Sequence, residues 1–167
     1  LTNIQKERGK YFERRIVDSI RKTFELKKFE CQRASSSGTG EFEFGDIFFN
    51  DPEKFPYIFE CKFGYNWEFS TFFPFVSKQI FSFLKEAFDA GEKYKLKIKQ
   101  DPKLICIVLA KPHYKPLAIV TQPILVIESP VIIPSNYFSY KKETYPVFIY
   151  SFDDVLRCIK DGVFDVE

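Results

Sequence analysis

Residues 45–63 read GDIFFNDPEKFPYIFECKF, and this stretch decides how the rest of the chain is interpreted. Two runs rich in Phe and Ile, residues 45–49 and 56–63, flank the turn signal Asn50-Asp51-Pro52. They predict two strands paired as a hairpin with a somewhat long loop. Each run carries a carboxylate among apolar neighbours: Asp46 in the first and Glu60 in the second, with Lys62 two positions on. Side chains alternate along a strand, so Glu60 and Lys62 share one face while Phe59, Cys61 and Phe63 share the other. Hairpin pairing would bring Asp46 near Glu60. Two carboxylates held together repel one another unless a cation lies between them, and Mg²⁺ suits oxygen ligands while keeping several waters. A nearby ammonium could orient an attacking water or steady charge on a phosphate, which completes the equipment for phosphodiester hydrolysis. The plainer alternative is a half-exposed hairpin with one Glu60–Lys62 ion pair on its wet face.

Working outward, Asn3 to Leu26 predicts an amphipathic helix, with Ile4, Phe12, Ile16, Ile20 and Phe24 at roughly helical spacing. Glu13 shares a stripe with Val17, Ile20 and Phe24, and a carboxylate bordering a buried face needs a partner. A metal or its bound water is one such partner; Arg14 or Arg33 is the other. Phe29 to Ala34 predicts a short strand. The loop Ser35 to Gly40 either lets backbone amides approach a phosphate or is a flexible turn. Glu41 to Phe49 and Pro56 to Phe63 are the next strands. Trp67, Phe69, Phe72, Phe73 and Phe75 either stack on unpaired bases, worth about 1–3 kcal/mol each, or pack in a core or dimer interface.

Val76, Ile80, Phe83, Leu84, Ala87 and Phe88 give a second helical stripe with Gly91 as its stop. Lys93 to Lys99 alternates like an edge strand, although Tyr94 and Ile98 also extend the helix stripe. Leu104 to Ala110 is a continuous apolar run suited to a central buried strand. Leu117 to Val120, Ile124 to Ile127 and Val147 to Tyr150 are further strands, with Pro123 and Pro130 confining two of them to edges or ends. Ser151 opens a last helix, capped by its hydroxyl with Asp154 completing a near capping box. The expectation is one α/β domain over residues 1–167, its core about 3–122 and a C-terminal extension over 123–167.

Composition narrows the classes further. Hydrophobic residues make up 45% of the chain and Phe alone numbers 21, enough for a packed core. No run approaches the roughly 18 apolar residues of a membrane span, and Leu1 to Lys10 lacks the apolar segment of a secretory signal. A soluble, cytoplasmic protein is expected. Cys31, Cys61, Cys106 and Cys158 form no CxxC pair, so zinc spacing is absent and reduced, mostly buried thiols are expected. His113 is the only histidine and sits in a predicted surface turn, so a His-based triad or His-rich metal site could have at most this one member. Net charge is only +2, but basic residues crowd Lys6 to Lys28 and Lys93 to Lys103 while acids gather between Asp153 and Glu167. Such segregation gives either a phosphate-attracting face or ordinary solvated helix surfaces.

Taken together, these residues resemble the PD-(D/E)xK nuclease superfamily and, within it, Holliday-junction resolvases of archaeal and phage type. The resemblance covers about Lys6 to Gly91. It is carried by Gly9-x-x-Phe12-Glu13, Arg33-Ala34-Ser35-Ser36-Ser37-Gly38, Gly45-Asp46-Ile47, Phe59-Glu60-Cys61-Lys62 and a second helix containing Gln79. It implies a restriction-endonuclease-like core, a central mixed β-sheet flanked by helices in α-β-β-β-α-β order, with a C-terminal β/α extension. Asp46, Glu60 and the Cys61 carbonyl would ligate Mg²⁺, with Mn²⁺ as substitute. Glu13 would serve the metal directly or through water, and Lys62 would position the attacking water. Arg14, Arg33, Ser35, Ser36, Ser37 and Gln79 would contact DNA. The implied activity is structure-selective cleavage of branched DNA, such as a four-way junction, by a homodimer. A restriction-type or linear-duplex nuclease and a non-catalytic DNA-binding module are the alternatives. Gly45 stands where the motif nominally has proline, at a tolerant position. The segment 63–75 is longer and more aromatic than a minimal resolvase requires, and nothing beyond Lys111 is diagnostic.

Overall fold

The computed structural model describes residues 3–35, 43–64, 78–124 and 131–164, with the backbone alone for Lys78 and residues 131–137. In chain order the elements are α1 (Asn3–Phe24), β1 (Cys31–Arg33), β2 (Ile47–Phe49), β3 (Tyr57–Phe63), α2 (Lys78–Ile98), β4 (Leu104–Ala110), β5 (Leu117–Val120), β6 (Val131–Tyr140), β7 (Glu143–Ser151) and α3 (Phe152–Lys160). This is the mixed α/β architecture that the sequence predicts, compatible with a restriction-endonuclease-like fold.

The apolar run Leu104–Ala110 becomes β4 and lies inside a five-stranded sheet of order β3-β4-β5-β7-β6. β3 and β4 are parallel and the remaining neighbours antiparallel. Because β4 is covered on both faces, it needs apolar residues at every position. Cys106, Val108 and Ala110 pack with α1 and α3, whereas Ile107 and Leu109 pack with α2. α1 buries Phe12, Ile16, Val17 and Ile20, the stripe expected from helical spacing. All four cysteines are buried and free, and His113 is exposed.

Four local expectations change. Residues 45–63 do not form a hairpin: β2 pairs antiparallel with β1, and the chain meets β3 through an isolated parallel bridge, Gly45 to Phe59. α2 runs through Gly91 to Ile98, because Tyr94 is buried, its hydroxyl donates to the Pro52 carbonyl at 2.7 Å, and its ring meets Phe44 edge-on. Gly91 serves close packing instead, since a Cβ there would lie 2.6 Å from Ile105 Cδ1. Ser151 does precede α3, but its hydroxyl makes no capping bond; Phe152 N–H donates to the Pro116 carbonyl instead. β6 was not expected, and β7 is longer than the Val147–Tyr150 run. The expected strand Ile124–Ile127 and the aromatics between Trp67 and Phe75 lie outside the described residues, apart from Ile124, which is buried outside any strand.

Candidate active site

The edge of β3 away from β4 organises the site. Gly45 has φ +76°, and a Cβ on it would lie 2.6 Å from the Phe59 carbonyl oxygen, so only glycine permits this approach. Proline, locked near φ −65°, is thereby excluded from the position that the motif names for it. Asp46 N–H then donates to the Phe59 carbonyl at 2.9 Å, while the Asp46 carbonyl accepts from Ala34 N–H at 2.9 Å. With its backbone clamped on both sides, Asp46 turns its carboxylate to β3, where Oδ2 accepts from Cys61 N–H at 2.7 Å. A strand residue's N–H and carbonyl point to the same side, so the Cys61 carbonyl also faces this edge.

Glu60 and Lys62 share the α2-facing side of β3, as alternation predicts. Lys62 Nζ donates to Glu60 Oε1 at 2.8 Å and to Glu86 Oε2 at 2.5 Å, and it lies 5.1 Å from the centre of the Phe83 ring. α2 runs antiparallel to β3, since Ala90 and Tyr94 pack with Ile58 while Phe83 and Glu86 meet Lys62. Gln79 shares a helix face with Phe83 and Glu86 and lies one turn beyond Phe83, toward the C-terminal end of β3.

Glu13 comes from α1 and is paired with Arg33, whose Nη1 stands 3.2 Å from Glu13 Oε2. Of the two partners open to Glu13, the arginine is the one present. Ser35 is exposed, and both its N–H and its hydroxyl donate to the Glu43 carboxylate, at 2.7 and 2.8 Å. Arg14 is exposed on α1. Ser36 and Ser37 lie outside the described residues.

A cleft of about 490 Å³ brings Asp46, Lys62, Glu13 and Arg33 together, with Lys6 and Lys10 contributed by α1. Arg14, Gln79 and Glu60 do not line it. The single pocket expected for residues 46, 60 and 62 is therefore shared by two of them, while the third, Glu60, is bonded to Lys62 outside the lining of the cleft.

The electrostatics tie the three together. Burial raises the Asp46 carboxyl above the ordinary aspartate value against the Cys61 N–H bond that lowers it, and the Glu13 charge adds to the rise. Burial, then the Asp46 charge, pushes Glu60 up to about 7 against the opposing pull of Lys62. Burial alone would lower Lys62, but the Glu60 and Glu86 carboxylates hold it above the usual lysine value. The ammonium therefore stays protonated and can donate, but it cannot act as a base. Two carboxylates driven toward neutrality by burial and by neighbouring negative charge, Glu13 beside Asp46 and Asp46 beside Glu60, are the electrostatic condition that a cation relieves. Their hard oxygens, with a carbonyl on the same edge, suit a divalent ion that takes one or two carboxylates and keeps its waters. Among the described residues, no group of three or more His, Cys, Asp or Glu side chains is set to hold a metal.

Sequence reasoning missed Glu86 and the seat that Phe83 gives Lys62. Glu86 falls seven residues after Gln79 on one helix face, but nothing local shows that this face meets β3 opposite Lys62. The basic residues Lys6 and Lys10 were seen only as members of a cluster.

No curated protein matches the chain, and no solved structure matches it either. Among the described residues no helix is long and apolar enough to cross a membrane. A family model described as "Phage putative PDDEXK endonuclease" matches residues 4–164, nearly the whole chain and every element from α1 to α3. On that coverage the chain belongs to this PD-(D/E)xK nuclease family.

Proposed function

We propose that the chain is a Mg²⁺-dependent endodeoxyribonuclease whose centre is Asp46, Glu60 and Lys62. The observation that carries this reading is the clamped Asp46 carboxylate sharing a cleft with Lys62, while Glu60 is pushed up to about 7 by burial and by Asp46. Asp46, Glu60 and the Cys61 carbonyl would hold the ion, with Mn²⁺ as a substitute and Glu13 serving it through water. When bound, the ion supplies Lewis-acid charge at the phosphate and makes a bound water a better nucleophile. Lys62, held protonated, donates to that water or to a phosphate oxygen and fixes the line of attack. Arg33 can leave Glu13 for a phosphate, since both side chains border the cleft. Lys6 and Lys10 add charge along α1, and Arg14, Ser35–Ser37 and Gln79 would extend the contact to the DNA backbone. Phosphate contacts carry no base information, so sequence preference is not expected.

For the substrate we favour branched DNA, cut by a homodimer in the cytoplasm, on the resemblance of the Gly9 to Glu13 and Arg33 to Gly38 motifs to junction resolvases. Two sites related by a two-fold axis suit paired nicks across a junction. The test is cleavage of a labelled four-way junction and a linear duplex, with and without Mg²⁺, by wild type and Asp46→Asn. Expected are Mg²⁺-dependent nicks in the junction with 5′-phosphate ends, and a loss of about a hundredfold or more in Asp46→Asn. Equal cleavage by the variant, or cleavage persisting in chelator, would overturn the mechanism. Preference for the duplex would overturn the substrate alone.

A further inference from the structure

One ammonium links three carboxylates: Lys62 donates to Glu60 and to Glu86 where β3 meets α2, and it shares the cleft beside β3 with Asp46. Glu13 and Arg33, paired at 3.2 Å, together add no net charge to this count. With all four ionised, their formal charge is −2, which matches one divalent cation. The balance depends on Glu86. Without it the group would carry −1, and among the described residues Lys62 would keep Glu60 as its one carboxylate partner.

The geometry shows how the two functions divide. Lys62 and Glu60 are each 13% exposed, so an unpaired charge on either is costly. Glu86 is 50% exposed, reaches in from α2 and meets the ammonium at 2.5 Å, while the Phe83 ring supports the same ammonium. Lys62 thus has an anchor that does not depend on Glu60. We infer that Glu86 is a positioning residue that holds and neutralises the Lys62 ammonium, so that Glu60 can leave Lys62 and join Asp46 on a divalent cation. This rests on the reading of Asp46 and Glu60 as metal-holding residues, and it assigns Glu86 no contact with the metal.

The test is calorimetric titration of Mn²⁺ and of Mg²⁺, without DNA, into wild type, Glu86→Gln, Lys62→Met and the double variant, each checked by its thermal unfolding curve. Glu86→Gln keeps size and helix propensity, and Lys62→Met keeps an apolar stem against Phe83. Glu86→Gln is expected to weaken metal affinity about tenfold, as loss of an outer partner does. Adding Lys62→Met should restore it, because the competitor for Glu60 is then gone. That rescue is the signature, since a merely structural role for Glu86 would not be repaired by removing a lysine. Unchanged affinity in Glu86→Gln overturns the inference. So does equal weakening with and without Lys62, which would make Glu86 a ligand. If wild type itself binds neither ion, the metal-dependent reading fails and takes this inference with it.

Discussion

Replacing Gly45 by alanine tests whether the backbone clamp on Asp46 is what builds the site. An L residue at φ +76° costs about 1–2 kcal/mol. Its Cβ would also stand 2.6 Å from the Phe59 carbonyl oxygen, a main-chain atom in a buried strand that cannot rotate aside. Relief requires residues 44–46 to lift from the β3 edge. That move lengthens the Asp46 N–H bond to Phe59, worth about 0.5–1.5 kcal/mol net, and draws Oδ2 from Cys61 N–H, a bond to a charged group worth about 1.5–3 kcal/mol. With either bond lost, destabilisation should reach about 1.5–5 kcal/mol, a large share of the 5–15 kcal/mol typical of a domain. Urea denaturation measures it, and Mn²⁺ titration of the folded protein should show weakened binding, because a displacement near 1 Å suffices to spoil a preorganised site. The reasoning fails if Gly45→Ala unfolds within about 0.5 kcal/mol of wild type and binds metal equally well.

Three further outcomes follow from the electrostatics. Glu60 sits at about 7, above the ordinary glutamate value, so below that pH a proton must leave before the carboxylate can take a cation. Metal affinity should therefore rise with pH up to about 7 and level off above it, by as much as about tenfold per unit below; a flat profile between pH 5 and 7 would refute the assignment. The same raised value means that Glu60 favours the folded state only at low pH, a contribution lost as pH rises from 4.5 through 7, so Glu60→Gln should gain in relative stability over that window. Arg33→Ala strands the part-buried Glu13 and should cost about 1–3 kcal/mol in thermal or urea unfolding. It should also weaken DNA binding and reduce its salt dependence by about one phosphate contact, and an unchanged salt slope would remove Arg33 from the interface.

The elements themselves were legible because their signals are local. Period-3.6 stripes placed α1 and the start of α2, an uninterrupted apolar run placed β4, and alternation correctly put Glu60 and Lys62 on one face of β3. These follow from backbone geometry over a few residues, whatever lies across the fold. The candidate residues Asp46, Glu60 and Lys62 could likewise be named, since a carboxylate among apolar neighbours is conspicuous without coordinates, although Asp46 lies just before β2 and not within a strand. What the tertiary structure alone decided was who meets whom. β2 carries apolar residues that suit pairing with either neighbour, so the sequence could not reveal that it pairs back on β1 and touches β3 in parallel through Gly45. Lys93 to Lys99 reads as an edge strand or as a continuation of the helix, and the choice fell to Tyr94 reaching Pro52, 42 residues away. Glu13 had two possible partners and met Arg33. Glu86 joined Lys62 across 24 residues because α2 lies antiparallel over β3. Alternation and helical period are fixed by the chain's own dihedrals. Pairing is fixed by which distant surfaces bury each other best, and that is a property of the whole fold.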